Sequence, residues 1–415
     1  MKWIRPSKIS GTLRTPASKS MMLRATAAAL LSKGESQIIN PSFCDDALAG
    51  LRVAGALGGY VEREGQLVTI KGGRSLQKTV LNCNESGLCM RMFTPVAALY
   101  NRKITITGTG SLMARPMEIV ERPLNQLGAY CKTNNGFPPI HVKGPIKGGK
   151  IRIDGFISSQ FLTGLLMALP LCQEDSELIV NDLKSKPYVT MTLFLLDQFG
   201  ISIHSEKDLN RFFIEGNQFF KNTTCQIEGD WSAAAFLLVA GAISGKVKVS
   251  NLQPHSLQAD KRILEVLELT GAELSIMKDT VSAEQSQLKA IEFDATDCPD
   301  LFPPLVALAC SCSGRSRIAG VKRLKHKESD RAHTLLTEFS KIGAKIMITG
   351  DWMEIEGIRL KGGIIESHND HRIAMAGAVA GLNTENGVFI DGWKCVSKSY
   401  PCFFEDLKSL GGNIV

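Results

Sequence analysis

The sequence predicts an α/β protein built from six copies of one βαβαββ unit, and three observations carry that prediction. Apolar helical stretches run into a glycine at Gly58, Gly128, Gly200, Gly271, Gly343 and Gly411, at intervals of about 70 residues. A second helix, apolar nearly all round, runs in the same period. Short β-branched or aromatic runs, such as Ala344–Ile348, follow the glycines.

Each glycine reads as the C′ cap of a helix that leads into a strand. The texts before them are alike, as in Ala56-Leu57-Gly58, Gln126-Leu127-Gly128 and Lys341-Ile342-Gly343. The period is too long for a solenoid repeat and too short for ordinary separate domains, so one supersecondary unit accounts for nearly the whole chain. The second helix begins each time at polar or charged residues: Ser18-Lys19-Ser20, Glu85-Ser86-Gly87, Ser158-Ser159-Gln160, Gly229-Asp230-Trp231, Pro299-Asp300 and Asn369-Asp370-His371-Arg372. The bodies behind these starts, for example Phe161–Leu171, Ala233–Ile243 and Ile373–Leu382, belong at the centre of a core. Six units then form two groups of three, each wrapping sheets around buried helices, and 415 residues call for at least two domains.

Composition bounds the class. With 44% hydrophobic and 21% charged residues the chain reads as an ordinary soluble protein. No signal peptide precedes Met1-Lys2-Trp3-Ile4-Arg5 and the apolar stretches are too short or interrupted to span a bilayer, so a cytoplasmic location with no membrane partner is expected. Eleven scattered cysteines without a Cys-x-x-Cys pair are expected to be reduced, and Cys310 and Cys312 read as core rather than metal ligands. The formal charge of +7 is not gathered into a basic run or stripe with aromatics, which argues against nucleic acid.

The helix starts carry the chemistry. A helix N-terminus presents unpaired N–H groups and partial positive charge, and here side chains add to it. Lys19, Ser20 and Arg24 open the first buried helix, Arg91 stands on the second, Arg372 on the sixth, and Lys325-His326-Lys327-Glu328-Ser329-Asp330-Arg331 opens another. A lone arginine there is more often a surface charge or the partner of a neighbouring carboxylate, and Ser158-Ser159 alone more often a plain N-cap. Recurrence at equivalent positions of successive units favours a small, highly anionic ligand.

Six motifs, in order and spacing, carry a family resemblance. Pro16-Ala17-Ser18-Lys19-Ser20 with Arg24, Ser158-Ser159-Gln160-Phe161-Leu162-Thr163, Ser185-Lys186-Pro187-Tyr188, Lys327-Glu328-Ser329-Asp330-Arg331, Asn369-Asp370-His371-Arg372-Ile373-Ala374-Met375 and Lys398-Ser399-Tyr400-Pro401 resemble the 5-enolpyruvylshikimate-3-phosphate synthase family over essentially the full length. The resemblance implies two inside-out α/β barrel domains, one of residues 1–17 and 229–415 and one of residues 18–228, with the site in the cleft between them. It implies transfer of the enolpyruvyl group of phosphoenolpyruvate to the 5-hydroxyl of shikimate 3-phosphate, by a monomer, without metal or organic cofactor. By the same resemblance Ser20, Arg24, Ser158, Ser159, Gln160, Ser185, Tyr188, Asp300 and Lys327 hold shikimate 3-phosphate. Lys19, Gly87, Arg115, Gln160, Arg331, Arg372 and Lys398 face phosphoenolpyruvate, with Arg91 lending charge nearby. Asp300, Glu328 and Lys19 are the implied catalytic residues, Asp300 at the attacking hydroxyl and Glu328 exchanging a proton with carbon. A helix N-cap is the plain alternative for Asp300, and a local ion pair for Glu328.

The match departs at four places. Glu85 stands where the family has asparagine, Leu88 where it has threonine, Ser111 where it has an arginine, and Arg323 where it has asparagine. Weak binding of phosphoenolpyruvate, and of the inhibitor glyphosate, is the expectation from Glu85 and Ser111. Transfer to a UDP-amino sugar, or a catalytically weak relative that only binds a phosphorylated ligand or a protein partner, are the alternative functions. The shikimate-phosphate motifs argue against the first, and the presence of both Asp300 and Glu328 against the second.

Overall fold

The computed structural model describes residues 1–73, 75–156 and 159–415, and it divides into two compact units. One comprises Ala17–Ile227, the other Met1–Pro16 with Glu228–Val415. The unit of residues 17–227 holds helices α1 (Lys19–Leu31), α2 (Asp45–Ala56), α3 (Gly87–Ala97), α4 (Glu121–Gln126), α5 (Ser159–Ala168) and α6 (Lys186–Gln198). The discontinuous unit holds α7 (Trp231–Ser244), α8 (Ile263–Thr270), α9 (Phe302–Cys310), α10 (Arg331–Lys341), α11 (His371–Gly381) and α12 (Phe403–Ser409).

Each unit contains three four-stranded sheets, and all six sheets repeat one pattern: a parallel pair, then two antiparallel neighbours. In one of them Glu292–Asp294 runs parallel to Arg315–Ala319, which pairs antiparallel with Trp352–Glu356, which pairs with Lys345–Thr349. Alternation sets the faces: Met353 and Ile355 are fully buried while their neighbours along the strand are partly exposed. Between the parallel strands runs a buried helix, here α9, and between the second strand and the antiparallel pair runs the amphipathic helix that ends in the recurrent glycine, here α10. This is the βαβαββ order that the sequence predicts. All six glycines have positive φ, from 76° at Gly200 to 110° at Gly58, the left-handed conformation that ends a helix without a Cβ clash.

The odd-numbered helices form the cores. Thirteen of the fourteen residues of α7 are buried, and α7, α9 and α11 pack on one another. α3 packs closely on α5 because Gly164 lets the backbones meet: a Cβ there would lie 2.5 Å from the Met92 carbonyl oxygen. Polar caps start these helices as expected. Ser18, Ser86, Asp230 and Asp370 accept from the backbone N–H of Met21, Cys89, Ala233 and Arg372. The discontinuous unit is completed by its N-terminal segment. Ile9–Arg14 pairs parallel with Gly245–Ser250, and Lys2–Arg5 lies between Val388–Asp391 and Asn413–Ile414.

All eleven cysteines are free. Among the described residues no helix is long and apolar enough to cross a membrane, and no cluster of His, Cys, Asp and Glu side chains is arranged to hold a metal ion.

Two glycines should respond oppositely to alanine. At Gly164 the added methyl meets backbone, so Gly164→Ala should cost about 1–3 kcal/mol. At Gly55, inside α2, nothing lies within 4 Å of the added carbon, so Gly55→Ala should stabilise by about 0.5–1 kcal/mol. Urea denaturation of the two variants measures both signs.

Candidate active site

In the discontinuous unit, three helix starts are tied by one guanidinium. Arg331, the first residue of α10, is fully buried. Its Nη1 donates to Asp300 Oδ1 (2.8 Å), its Nη2 to Glu328, and its Nε to Asp370 Oδ2 (2.9 Å). Asp300 lies in the 3-10 turn Pro299–Leu301 that leads into α9, and Asp370 is the cap of α11. Burial alone would lower the Arg331 pKa, but Asp370, Glu328 and Asp300 together hold it well above its ordinary value. The Asp300 carboxylate also receives Lys327 Nζ at 3.3 Å and Arg372 Nη2 at 3.2 Å. Burial pushes the Lys327 ammonium down to about 8, against the pull of Asp300. For Arg372 the attraction of Asp300 and Asp260 outweighs burial and raises its pKa.

Lys398 reaches the same region through backbone. Its Nζ donates to the carbonyl of Asn369 at 2.6 Å, and that loop carries two consecutive left-handed residues, His368 (φ 49°) and Asn369 (φ 56°). Such backbone persists only where the surroundings hold it. Here the holder is Glu338 of α10, whose buried carboxylate accepts from the Glu366 N–H (2.9 Å) and from Lys341 Nζ (2.7 Å) and lies 2.8 Å from His368 Nε2.

The other unit gathers cations among mostly neutral acceptors. Arg24, 1% exposed, donates through Nε to Thr192 Oγ1 (2.8 Å), through Nη1 to the Ser20 carbonyl (2.9 Å), and through Nη2 to Thr163 Oγ1 and the Tyr188 carbonyl. It thereby fastens α1 to α5 and α6, and burial lowers its pKa to about 10. Arg91 donates to Gln160 Oε1 (3.0 Å) and to the Pro116 carbonyl (3.1 Å). The guanidinium of Arg115 lies against Gly87, where a Cβ would stand 2.5 Å from Nη1. Lys19, at the start of α1, pairs with Asp46 at 3.0 Å. Ser185 precedes α6 in a left-handed conformation (φ 57°) that turns the chain into the helix, and Ser159 is the first residue of α5.

The structure thus brings Asp300, Glu328, Lys327, Arg331 and Arg372 together in one unit. In the other it joins Gln160 to Arg91, Gly87 to Arg115, and Ser20 and Tyr188 to Arg24. Asp300 is held by Lys327, Arg331 and Arg372. The ion pair considered for Glu328 is present, with Arg331 as its partner. Ser158 lies outside the described residues. At the divergent positions, the Glu85 carboxylate accepts from both the N–H and the hydroxyl of Ser111, each at 3.1 Å. Sequence reasoning passed over Asp46, Thr192, Ser232, Asp260 and Glu338, and named Asp370 only as part of a helix start.

Comparison with known proteins is consistent along the whole chain. The EPSP synthase (3-phosphoshikimate 1-carboxyvinyltransferase) family model matches residues 4–407. A 3-phosphoshikimate 1-carboxyvinyltransferase of Clostridium kluyveri is 39% identical over 415 residues, covering 99% of this chain and 97% of the relative. That of Clostridium acetobutylicum is 39% identical over 419 residues, with 99% and 97% covered. Among solved structures, an EPSP synthase from Acinetobacter baumannii superposes with a TM-score of 0.84 at 27% identity, over 100% of this chain and 98% of the other. The enolpyruvyl transferase NikO from Streptomyces tendae, at 16% identity and a TM-score of 0.80, shares the fold, over 100% and 98% of the two chains.

Glu338 gives a pH signature. Its donors, Lys341, His368 and the Glu366 N–H, outweigh burial and hold its pKa below the ordinary 4.5. A carboxylate with a lowered folded pKa stabilises fully above 4.5, and that contribution disappears as pH falls through the folded value. Glu338→Gln should therefore cost about 1.5–3 kcal/mol at pH 7 and reduce the acid dependence of stability below pH 4.5. Urea denaturation at a series of pH values reads both.

Proposed function

We propose, because the chain belongs to the EPSP synthase family, that it transfers the enolpyruvyl group of phosphoenolpyruvate to the 5-hydroxyl of shikimate 3-phosphate and releases phosphate. The observation that carries this reading is the match of the family model to residues 4–407, with relatives of that activity 39% identical over nearly the full chain. The two relatives 39% identical to this chain are 3-phosphoshikimate 1-carboxyvinyltransferases, which favours this acceptor over a UDP-amino sugar. We place the enzyme in the cytoplasm, as a monomer.

In this reading Ser20, Arg24, Ser158, Ser159, Gln160, Ser185, Tyr188, Asp300 and Lys327 receive shikimate 3-phosphate. Lys19, Gly87, Arg115, Gln160, Arg331, Arg372 and Lys398 serve phosphoenolpyruvate. Two phosphates and two carboxylates require forked guanidinium donors in a dry site, which is what buried Arg24, Arg331 and Arg372 supply. Asp300, fixed by Lys327, Arg331 and Arg372, takes the proton of the 5-hydroxyl. As that oxygen bonds to C2 of phosphoenolpyruvate, Glu328 protonates C3. The same carboxylate then removes a proton from C3 while the C–O bond to phosphate breaks, with Lys19 offering charge to the leaving group. The departing phosphate takes up the proton that Asp300 removed from the hydroxyl, and Glu328 ends protonated as it began, so the proton count closes over the two steps.

Phosphate release from shikimate 3-phosphate and phosphoenolpyruvate tests the reaction. Glu328→Gln should lower kcat by about a hundred- to ten-thousand-fold with shikimate 3-phosphate affinity nearly unchanged, and Asp300→Asn should do likewise with some loss of affinity. A loss below about threefold would leave Glu328 as no more than the partner of Arg331.

Glu85 and Ser111 yield a second expectation. Because the two side chains are bonded to each other, their replacement should be coupled. Ser111→Arg with Glu85→Asn should tighten phosphoenolpyruvate and glyphosate by more than the two single changes combined. Michaelis and inhibition constants for the four proteins of the cycle decide it.

A further inference from the structure

Arg372 is held on the side away from Asp300 by a hydroxyl. Its Nη1 donates to Ser232 Oγ at 2.5 Å, while Nη2 donates to Asp300 Oδ2. A guanidinium only donates, so the Ser232 oxygen is the acceptor and its single proton must go elsewhere. The group that takes it is the carboxyl of Asp260, 1% exposed, in the 3-10 turn Ala259–Arg262.

That turn is fixed against the start of α7, which carries Ser232. Gln258 accepts from the Trp231 N–H at 3.1 Å and donates to the Gly229 carbonyl at 2.8 Å and to Glu228 Oε1 at 2.9 Å. Asp260, two residues further on, is therefore presented to Ser232, one residue after Trp231. The chain Asp260, Ser232, Arg372, Asp300 runs through four separate segments of the unit and leaves Arg372 little rotational freedom.

We infer that Asp260 and Ser232 form a positioning pair that fixes the Arg372 guanidinium for the anionic end of phosphoenolpyruvate. The inference rests on the function proposed above and assigns two residues it did not include. Burial, then the charge of Asp300, pushes the Asp260 carboxyl up to about 7, against the opposing effects of Arg372 and Ser232. Its part in the pair is that of an acceptor for the Ser232 proton, which the carboxamide oxygen of an asparagine also offers.

The test is steady-state kinetics on Ser232→Ala, Asp260→Ala, Asp260→Asn and the double Ser232→Ala/Asp260→Ala. Each alanine variant should raise KM for phosphoenolpyruvate by about ten- to a hundredfold, the effect of one charge-assisted hydrogen bond, with kcat reduced far less. Mere loss of folded protein would lower kcat and leave KM in place. Asp260→Asn should stay within about threefold of the starting protein, and the double variant should be no worse than the poorer single one. Unchanged KM in both alanine variants, an asparagine variant as impaired as the alanine one, or additive losses in the double would each overturn the pair. Starting protein that releases no phosphate would instead sink the reaction, and this role with it.

Discussion

A buried guanidinium that cannot give up its proton must have its charge met where it lies, and Arg331 imposes that condition on the discontinuous unit. It meets it with three carboxylates from three places in the chain: Asp300 before α9, Glu328 just ahead of α10, and Asp370 at the cap of α11. Removing any one would leave charge unbalanced in a dry interior, which costs more than the pair is worth intact. The starts of three helices are thereby set relative to one another by electrostatics as well as by packing. Asp300 and Glu328 inherit fixed positions from the same interaction, so the groups proposed for proton transfer are held before any ligand arrives.

The other unit solves the same problem differently. Arg24 is as deeply buried, yet its hydrogen bonds run to two hydroxyls and two carbonyls, which orient the fork without cancelling its charge. Burial accordingly lowers its pKa, where carboxylates raise that of Arg331. An anion near Arg24 gains an interaction that the protein itself has left largely unsatisfied, whereas an anion near Arg331 has to share it. The two environments suit different tasks: strong retention of a dianion in the first, and positioning around a reacting centre in the second.

Much of this was legible in the sequence because it repeats. The six glycines mark six left-handed helix ends, and the polar residues before the apolar helices are their caps, so local chemistry recurring at one period disclosed the fold. Arg331, Arg372, Asp300 and Glu328 were legible because each stands at a helix start. Asp46, Thr192, Ser232, Asp260 and Glu338 were not, since they act on other residues and lie far from them in sequence. Thr192 is 168 residues from the arginine it orients. Glu338 reads in the sequence as one charge on an amphipathic helix, and only the fold shows it buried beneath the His368–Asn369 loop.

The strand Lys2–Arg5 is flanked by Val388–Asp391 and Asn413–Ile414, and the Trp3 and Val415 main chains exchange hydrogen bonds. On the ribosome, Lys2–Arg5 must therefore wait for strands made about 400 residues later. Residues 17–227 emerge in between and hold all the strands and helices their own unit uses, so that unit can be completed while the opening strand is still without neighbours. Closure of the sheet then joins segments nearly the full chain length apart, the slowest kind of contact to form. Vectorial synthesis thus gives the two units different clocks, with the one that carries Asp300 and Glu328 maturing last.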